Sequence, residues 1–279
     1  MKTAVLMCSR GDPESYETTV RCLQELESGE NEVVYVCGFD EDDLPTSVML
    51  NMGFSKDKSV IISMGPRPRT LGEVQNRLMR AVDADLYMPM GDHMCCLTQD
   101  WDIHLEKNMQ GRVLGSWITS YNPNDPLVPV MSRHWIKSLG YVAFDLFPYW
   151  FTDTWTQEVY EFATGEKVPL FQELMFGGKR GETQSLRELD FWWGVFNATR
   201  TIRFRDAKKL GLQVSGNTTT RLKEMTERDN FMRQRFDAIE RVNPAKEPEQ
   251  RYFDAKTNAE RYLADHGLGL WCNLNGFVE

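Results

Sequence analysis

From Thr3 to Met90, apolar runs suited to buried strands alternate with stretches of helical periodicity. That alternation restricts the chain to an α/β architecture. Thr3 to Cys8 is a continuous apolar run, and Asp12-Pro13 after it is a helix start, with Asp as cap and Pro in the first turn. Val20, Leu23 and Leu26 then share one helical face. Val33–Cys37 reads as a second strand, ending in the acidic turn Asp40-Glu41-Asp42-Asp43. Ser59–Met64 reads as a third, before the stiff loop Gly65-Pro66-Arg67-Pro68-Arg69. Thr70 and Glu73 form a capping box, and Val74, Leu78 and Val82 make the apolar stripe of the helix behind it. Asn76, Arg77 and Arg80 fall on its other faces. Asp85–Met90 is a fourth strand, with Asp92 just past its end, where open α/β sheets bind ligands.

Further along, Val113–Trp117 reads as a short strand and Ser132–Leu139 as a helix closed by Gly140. The aromatic segment Phe144–Trp155 suits a pocket lining or a cover for the sheet, and 153–163 reads as a helix capped by Asp153. From about Thr218 to Val242, and again from Glu247 to His266, the chain is charged and rich in helix formers. The expected organisation is an α/β domain over 1–210 and a helical appendage over 211–279.

Composition narrows the function classes. No apolar run approaches the roughly 20 residues of a membrane span, and the start Met1–Cys8 turns polar too soon for a signal peptide. A cytoplasmic protein without membrane insertion is expected. The six cysteines show neither a disulfide framework nor a zinc-type CxxC pair, so reduced thiols are expected. A net charge of −9 excludes a protein that coats nucleic acid nonspecifically. Basic residues do cluster locally, as Arg67, Arg69, Arg77 and Arg80, and as Arg200, Arg203, Arg205, Lys208 and Lys209. Each cluster suits either a solvated helix face or a phosphate site, and the first is better placed for phosphate.

No GxGxxG, P-loop, HExxH or GxSxG motif occurs, and the four histidines are scattered. What remains is a strand ending in an acidic turn, Leu86-Tyr87-Met88-Pro89-Met90-Gly91-Asp92-His93. A carboxylate there suits Mg²⁺ or Mn²⁺, hard ions that share their shell with a diphosphate. Alone, Asp after Gly is also an ordinary turn pair.

The order of segments adds to this. "TAVLMCSRGDPESYETTVRCL", "EVVYVCGFDEDD", "TLGEVQNRLMRAVDADLYMPMGDHM", "LTQDWDIHL" with Trp101, "PVMSRHWIKSLGYV" and "YWFTDTWTQEVYEFATG" follow in sequence. Together they resemble GT-A glycosyltransferases of the family-two type, including those encoded by bacterial viruses. The resemblance covers a little over half the chain. It implies a GT-A-like (Rossmann-like) nucleotide-sugar-binding domain and a nucleotide-diphosphate sugar as donor. Ser9, Arg10 and Asp40 would lie near the base, the Asn76–Arg77 pair in the donor site, and Asp92 at the diphosphate. Mn²⁺ or Mg²⁺ would be held by Asp92, with His93 standing where the family's second acid is usual. That departure bears on metal dependence. Asp153, in the recurrent Asp-x-Trp pattern, is the candidate general base, with a helix cap as its plainer role; Asp190 in "LRELDFWW" is the alternative. Tyr149, Trp150, Phe151 and Trp155 would stack on a sugar or base, or pack the core.

The viral resemblance implies as acceptor a hydroxymethylated or otherwise modified base in DNA, and a host-cytoplasm location. Arg221, Lys223, Arg228, Arg233 and Arg235 could provide a DNA-facing surface, though acids are equally common there. A glycan or lipid-linked acceptor, a nucleotidyltransferase and a non-catalytic GT-A-like binding protein stand as alternatives. Ser9-Arg10-Gly11-Asp12-Pro13 is a poor nucleotidyltransferase loop.

Overall fold

The computed structural model describes residues 1–9, 11–92, 94–119, 126–148, 151–178, 189–211 and 248–268. The chain divides into two compact units, Met1–Gln157 with Val168–Glu182, and Glu158–Lys167 with Thr183–Glu279. The first unit contains an eight-stranded sheet in the order β3-β2-β1-β4-β7-β6-β8-β5. Its strands are β1 (Lys2–Cys8), β2 (Glu32–Asp40), β3 (Val60–Gly65), β4 (Leu86–Gly91), β5 (Met94–Cys96), β6 (Gly115–Thr119), β7 (Pro126–Ser132) and β8 (Leu170–Gly178). β3, β2, β1 and β4 run parallel. β7 is antiparallel to β4 and β6, β8 runs parallel to β6, and β5 antiparallel to β8.

The parallel half follows from the sequence. Ala4, Val5, Leu6 and Met7 are completely buried, as a strand covered on both faces requires. Helix α1 (Pro13–Leu26) begins where Asp12 accepts from the Ser15 N–H and Pro13 occupies the first turn. Its buried face carries Tyr16, Val20 and Leu23 onto a core of Val5, Met7, Tyr35, Cys37, Met88 and Met90. Helix α2 (Leu44–Phe54) starts in the same way, with Asp43 as cap and Pro45 in the first turn. Helix α3 (Leu71–Arg80) is capped by Thr70, whose hydroxyl accepts from the Glu73 N–H. Glu73 returns to the Arg69 N–H at 2.7 Å, one residue before the cap. Helix α3 ends at Arg80, so Val82 lies outside the expected apolar stripe.

Helix α4 (Trp101–Met109) sits on the core through Trp101, whose Nε1 donates to the Leu23 carbonyl at 2.9 Å. Helix α5 (Arg133–Leu139) closes at Gly140, and α6 (Thr152–Thr164) follows the aromatic segment. The strand expected at Val113–Trp117 is β6, shifted two residues on. The sequence did not announce α2, β5, α4, β7 or β8. β7 hides behind Pro126 and Pro129, residues that demote a segment as a strand candidate.

In the second unit lie α7 (Leu189–Ala198), α8 (Arg200–Lys209) and α9 (Pro248–Asp265). Arg203 is buried there, its Nε 2.7 Å from Glu158 Oε2 and its Nη1 2.7 Å from the Phe196 carbonyl. A guanidinium so engaged is structural. Arg205 and Lys209 both pair with buried Asp206 at 3.3 Å. The helix expected over 218–242 lies outside the described residues. Among those described, no helix is long and apolar enough to cross a membrane.

Candidate active site

The parallel register brings the carboxyl ends of four strands level. Cys8 pairs with Gly38 on one side and Gly91 on the other, and Asp40 pairs with Gly65. Ser9, Asp40 and Asp92 therefore lie along one end of the sheet, where α/β folds bind ligands. Ser9 is buried against β2, its N–H donating to the Gly38 carbonyl at 3.3 Å. Asp40 is only 5% exposed, whereas Asp92 is half-buried.

These groups form one electrostatic neighbourhood. Burial pushes the Cys8 thiol up to about 12, with the Asp92 and Asp40 carboxylates adding to the rise and Arg77 opposing it. A thiolate is disfavoured there first by burial, and then by the negative potential of the carboxylates at the strand ends. The same potential favours a cation.

Arg77 reaches this neighbourhood from α3. Its Nη1 donates to the Pro66 carbonyl at 3.0 Å and its Nη2 to the Phe39 carbonyl at 3.3 Å. The guanidinium lies on Gly65, where a Cβ would come within 2.2 Å of Nη1, so any larger residue at the end of β3 would displace Arg77. Its Nε is buried with no hydrogen-bond partner among the described residues. The positive charge is thus fixed at the sheet end with donor capacity in reserve.

Two contacts missed by the sequence reading hold the turns. Asp43 Oδ2 accepts from the Gly11 N–H at 2.8 Å and the Thr46 hydroxyl at 2.7 Å, fastening the β1–α1 loop to the cap of α2. The signal for it was Asp43-Leu44-Pro45, nearly the pattern read as a helix start at Asp12-Pro13. Thr19 of α1 donates to the Asp92 carbonyl at 2.6 Å, fixing the turn that bears the carboxylate.

Asn76, beside Arg77 on α3, is hydrogen-bonded to main chain. It is 5% exposed; its Nδ2 donates to the Ala143 carbonyl at 2.7 Å, and its Oδ1 accepts from the N–H groups of Val142 at 2.9 Å and Ala143 at 3.3 Å. The amide is spent on the main chain of the 142–148 segment. That segment is held twice more, by Thr70 Oγ1 on the Asp145 carbonyl at 3.0 Å and by the Leu71 N–H on the Pro148 carbonyl at 3.1 Å. Gly72 permits the approach: a Cβ there would meet the Phe144 oxygen at 2.6 Å.

The segment leads to Phe151, whose φ of 62° is unusual for a side-chain-bearing residue. Asp153 comes next but is not a cap. Helix α6 has begun at Thr152, and Asp153 accepts from the N–H of adjacent Thr154 at 2.7 Å. It is exposed, which leaves its carboxylate accessible. Trp155 and Phe151 are buried. Trp155 stacks on Phe144 at 3.9 Å and donates to the Tyr141 hydroxyl at 3.2 Å, so core packing is its role.

Other candidates fall elsewhere. Asp190 is in α7 of the second unit, and its side chain is outside the described residues. Arg10, His93, Tyr149 and Trp150 also lie outside them. Among the described residues no three His, Cys, Asp or Glu form a metal-binding group. A Mg²⁺ or Mn²⁺ shared with a diphosphate needs only one or two protein carboxylates. Asp92 follows β4 and Asp40 ends β2, with β1 between them.

No protein-family model matches the chain, and no curated protein matches it. Solved structures do. The mannosyltransferase PcManGT from Pyrobaculum calidifontis, in complex with GDP-Man and Mn²⁺, aligns with a TM-score of 0.53 at 10% identity, over 97% of this chain and 87% of its own. S. aureus TarS 1–349, in complex with UDP-GlcNAc, aligns with a TM-score of 0.56 at 11% identity, over 96% of this chain and 84% of its own. The fold is of the GT-A type, a mixed α/β sheet flanked by helices.

Proposed function

We propose that the chain is a glycosyltransferase that moves a sugar from a nucleotide-diphosphate donor to an acceptor hydroxyl. The observation that carries this reading is the convergence of Ser9, Asp40, Arg77 and Asp92 on the carboxyl ends of β1, β2 and β4 in a GT-A-type fold. Two fold relatives are bound to GDP-Man and UDP-GlcNAc, which supports a donor of that class.

In this reading the base lies against Ser9 and Asp40, and the diphosphate lies between Asp92 and Arg77. Arg77 offsets charge growing on the leaving diphosphate, from a position set before the reaction begins. A divalent cation held by Asp92 would add Lewis-acid stabilisation of the same oxygens. Asp153 takes the proton from the acceptor hydroxyl as it attacks the anomeric carbon. The acceptor in this reading is a hydroxymethylated or otherwise modified base in DNA, or else a glycan or a lipid-linked sugar.

The test is a panel of nucleotide sugars read by thermal stabilisation, since a ligand at 100 times its Kd adds about 2.7 kcal/mol. The stabilising donor is then supplied with hydroxymethylated DNA or oligosaccharides and transfer is measured. Stabilisation by one donor followed by transfer is expected. A chain that no nucleotide sugar stabilises is not a glycosyltransferase. Stabilisation with neither hydrolysis nor transfer identifies a binding protein.

A further inference from the structure

Helix α2 carries no charged residue and is apolar on two opposite sides. Leu50 and Phe54 are buried in the core. Leu44, Val48 and Met52, spaced i, i+4 and i+8 on the far side, are 69%, 56% and 83% exposed. A helix that is apolar all round is one that is covered all round. Beside the exposed stripe lies a groove of about 680 Å³, lined also by Pro45, Met49 and Gly53 and bounded by Glu17 of α1. Glu17 is paired with Arg21 at 2.7 Å. The two ends of α2 differ in charge. Exposed Glu41 and Asp42 precede it, and exposed Lys56 and Lys58 follow it. Asp57, between the lysines, accepts from Gln24 at 2.8 Å and from the Ser59 hydroxyl at 2.7 Å. None of these side chains takes part in the proposed transfer.

We propose that the outer face of α2 is the contact through which two copies of this chain form a two-fold dimer, with their α2 helices antiparallel. In such a contact the same patch meets itself, so it has to be its own complement. The α2 patch is. With Val48 on the two-fold axis, Leu44 of one copy lies opposite the partner's Met52, because both stand four residues from Val48. The same register brings Glu41 and Asp42 to the partner's Lys56, so acid meets base at both ends of the pair. A parallel pair would set acid on acid and base on base. The uncharged stripe also gives a chain of net charge −9 a place where a second copy docks without like-charge repulsion. Met49 and Met52, being unbranched and flexible, can repack to fill the seam. The complementarity lies within one helix and its two flanks, which identifies the occupant as a second copy. The inference is independent of the donor chemistry, because it concerns this face alone.

The full chain is sedimented over a wide concentration series, without nucleotide. A reversible equilibrium between monomer and dimer is expected. Val48→Glu places two carboxylates at the axis and should raise the dissociation constant about 100-fold or more, with the circular dichroism of the fold unchanged. Met52→Glu, at a second exposed position, should weaken the dimer in the same direction. Glu41→Lys and Lys56→Glu should each weaken it too. The double variant Glu41→Lys/Lys56→Glu should recover it, because the exchanged charges again meet their opposites across the axis. A chain that is monomeric at every concentration, a larger assembly, or a dimer indifferent to Val48→Glu and Met52→Glu would overturn the proposal. So would a double variant that stays as weak as the single ones. Co-sedimentation of the monomer with phosphatidylcholine vesicles, lost in Val48→Glu, would assign the face to a lipid surface instead.

Discussion

Asn76 hydrogen-bonds the main chain of Val142 and Ala143, while Arg77, its neighbour on α3, hydrogen-bonds that of Phe39 and Pro66. Successive helical side chains point about 100° apart, so one turn of α3 holds the 142–148 segment with one residue and the donor-side strand ends with the next. In the fold Asn76 fastens the 142–148 segment, while Arg77 stands at the strand ends.

Asn76→Ala should act on stability. It leaves two buried N–H groups and a carbonyl without their partner, at a cost of about 2–4 kcal/mol. Calorimetry should show melting lowered by roughly 5–10 °C, with nucleotide affinity in the remaining folded protein close to wild type. A silent Asn76→Ala would mean that the 142–148 segment is held without it.

Arg77→Met should act on binding of the diphosphate. A charged hydrogen-bonding contact contributes about 1.5–3 kcal/mol, so affinity for UDP or GDP should fall about 10-fold or more. Affinity for the corresponding nucleoside should change little. Equal losses for nucleotide and nucleoside would place Arg77 away from the phosphates.

Asp153→Asn tests the acceptor side. The amide oxygen can still accept from the Thr154 N–H, so the first turn of α6 should survive and the melting temperature should hold. If Asp153 takes the acceptor proton, turnover should fall about 10²–10⁴-fold with donor affinity unchanged. Full activity would return the role to Asp190.

Cys8 reports the charge at the strand ends. Its thiol is raised from the ordinary 9.0 to about 12 by burial, then by Asp92 and Asp40. The folded chain keeps this proton where the unfolded chain loses it, so stability should decline as pH rises from about 9 towards 12. Asp92→Asn removes one raising charge and should lower the Cys8 value. Alkylation at pH 9, followed by peptide mapping, should then be faster at Cys8 in the variant. An unchanged rate would separate Asp92 from the Cys8 neighbourhood.

The parallel half of the sheet was legible because each of its signals is local. β1 is an unbroken apolar run, Asp12-Pro13 and Thr70–Glu73 start α1 and α3, and Asp92 follows the break at Gly91. The antiparallel half was not. β7 carries two prolines, β5 is three residues long, and β8 pairs with β6 from far along the chain. Strands of that kind are recognised by their partners rather than by their own pattern. The places of Asp40 and Asp92 at the strand ends were readable, because each closes an apolar strand run. The roles of Asn76 and Asp43 were not. Both depend on which main-chain groups the fold brings opposite them, at separations of 67 and 32 residues.

Titration calorimetry of UDP and GDP against the wild-type chain and Asp92→Asn, each with and without Mn²⁺, tests the central claim most directly. The account predicts that one nucleotide binds wild type, that Mn²⁺ tightens the binding, and that Asp92→Asn abolishes the Mn²⁺ effect while the fold persists in its melting curve. Nucleotide binding of equal strength and equal Mn²⁺ response in Asp92→Asn would contradict it.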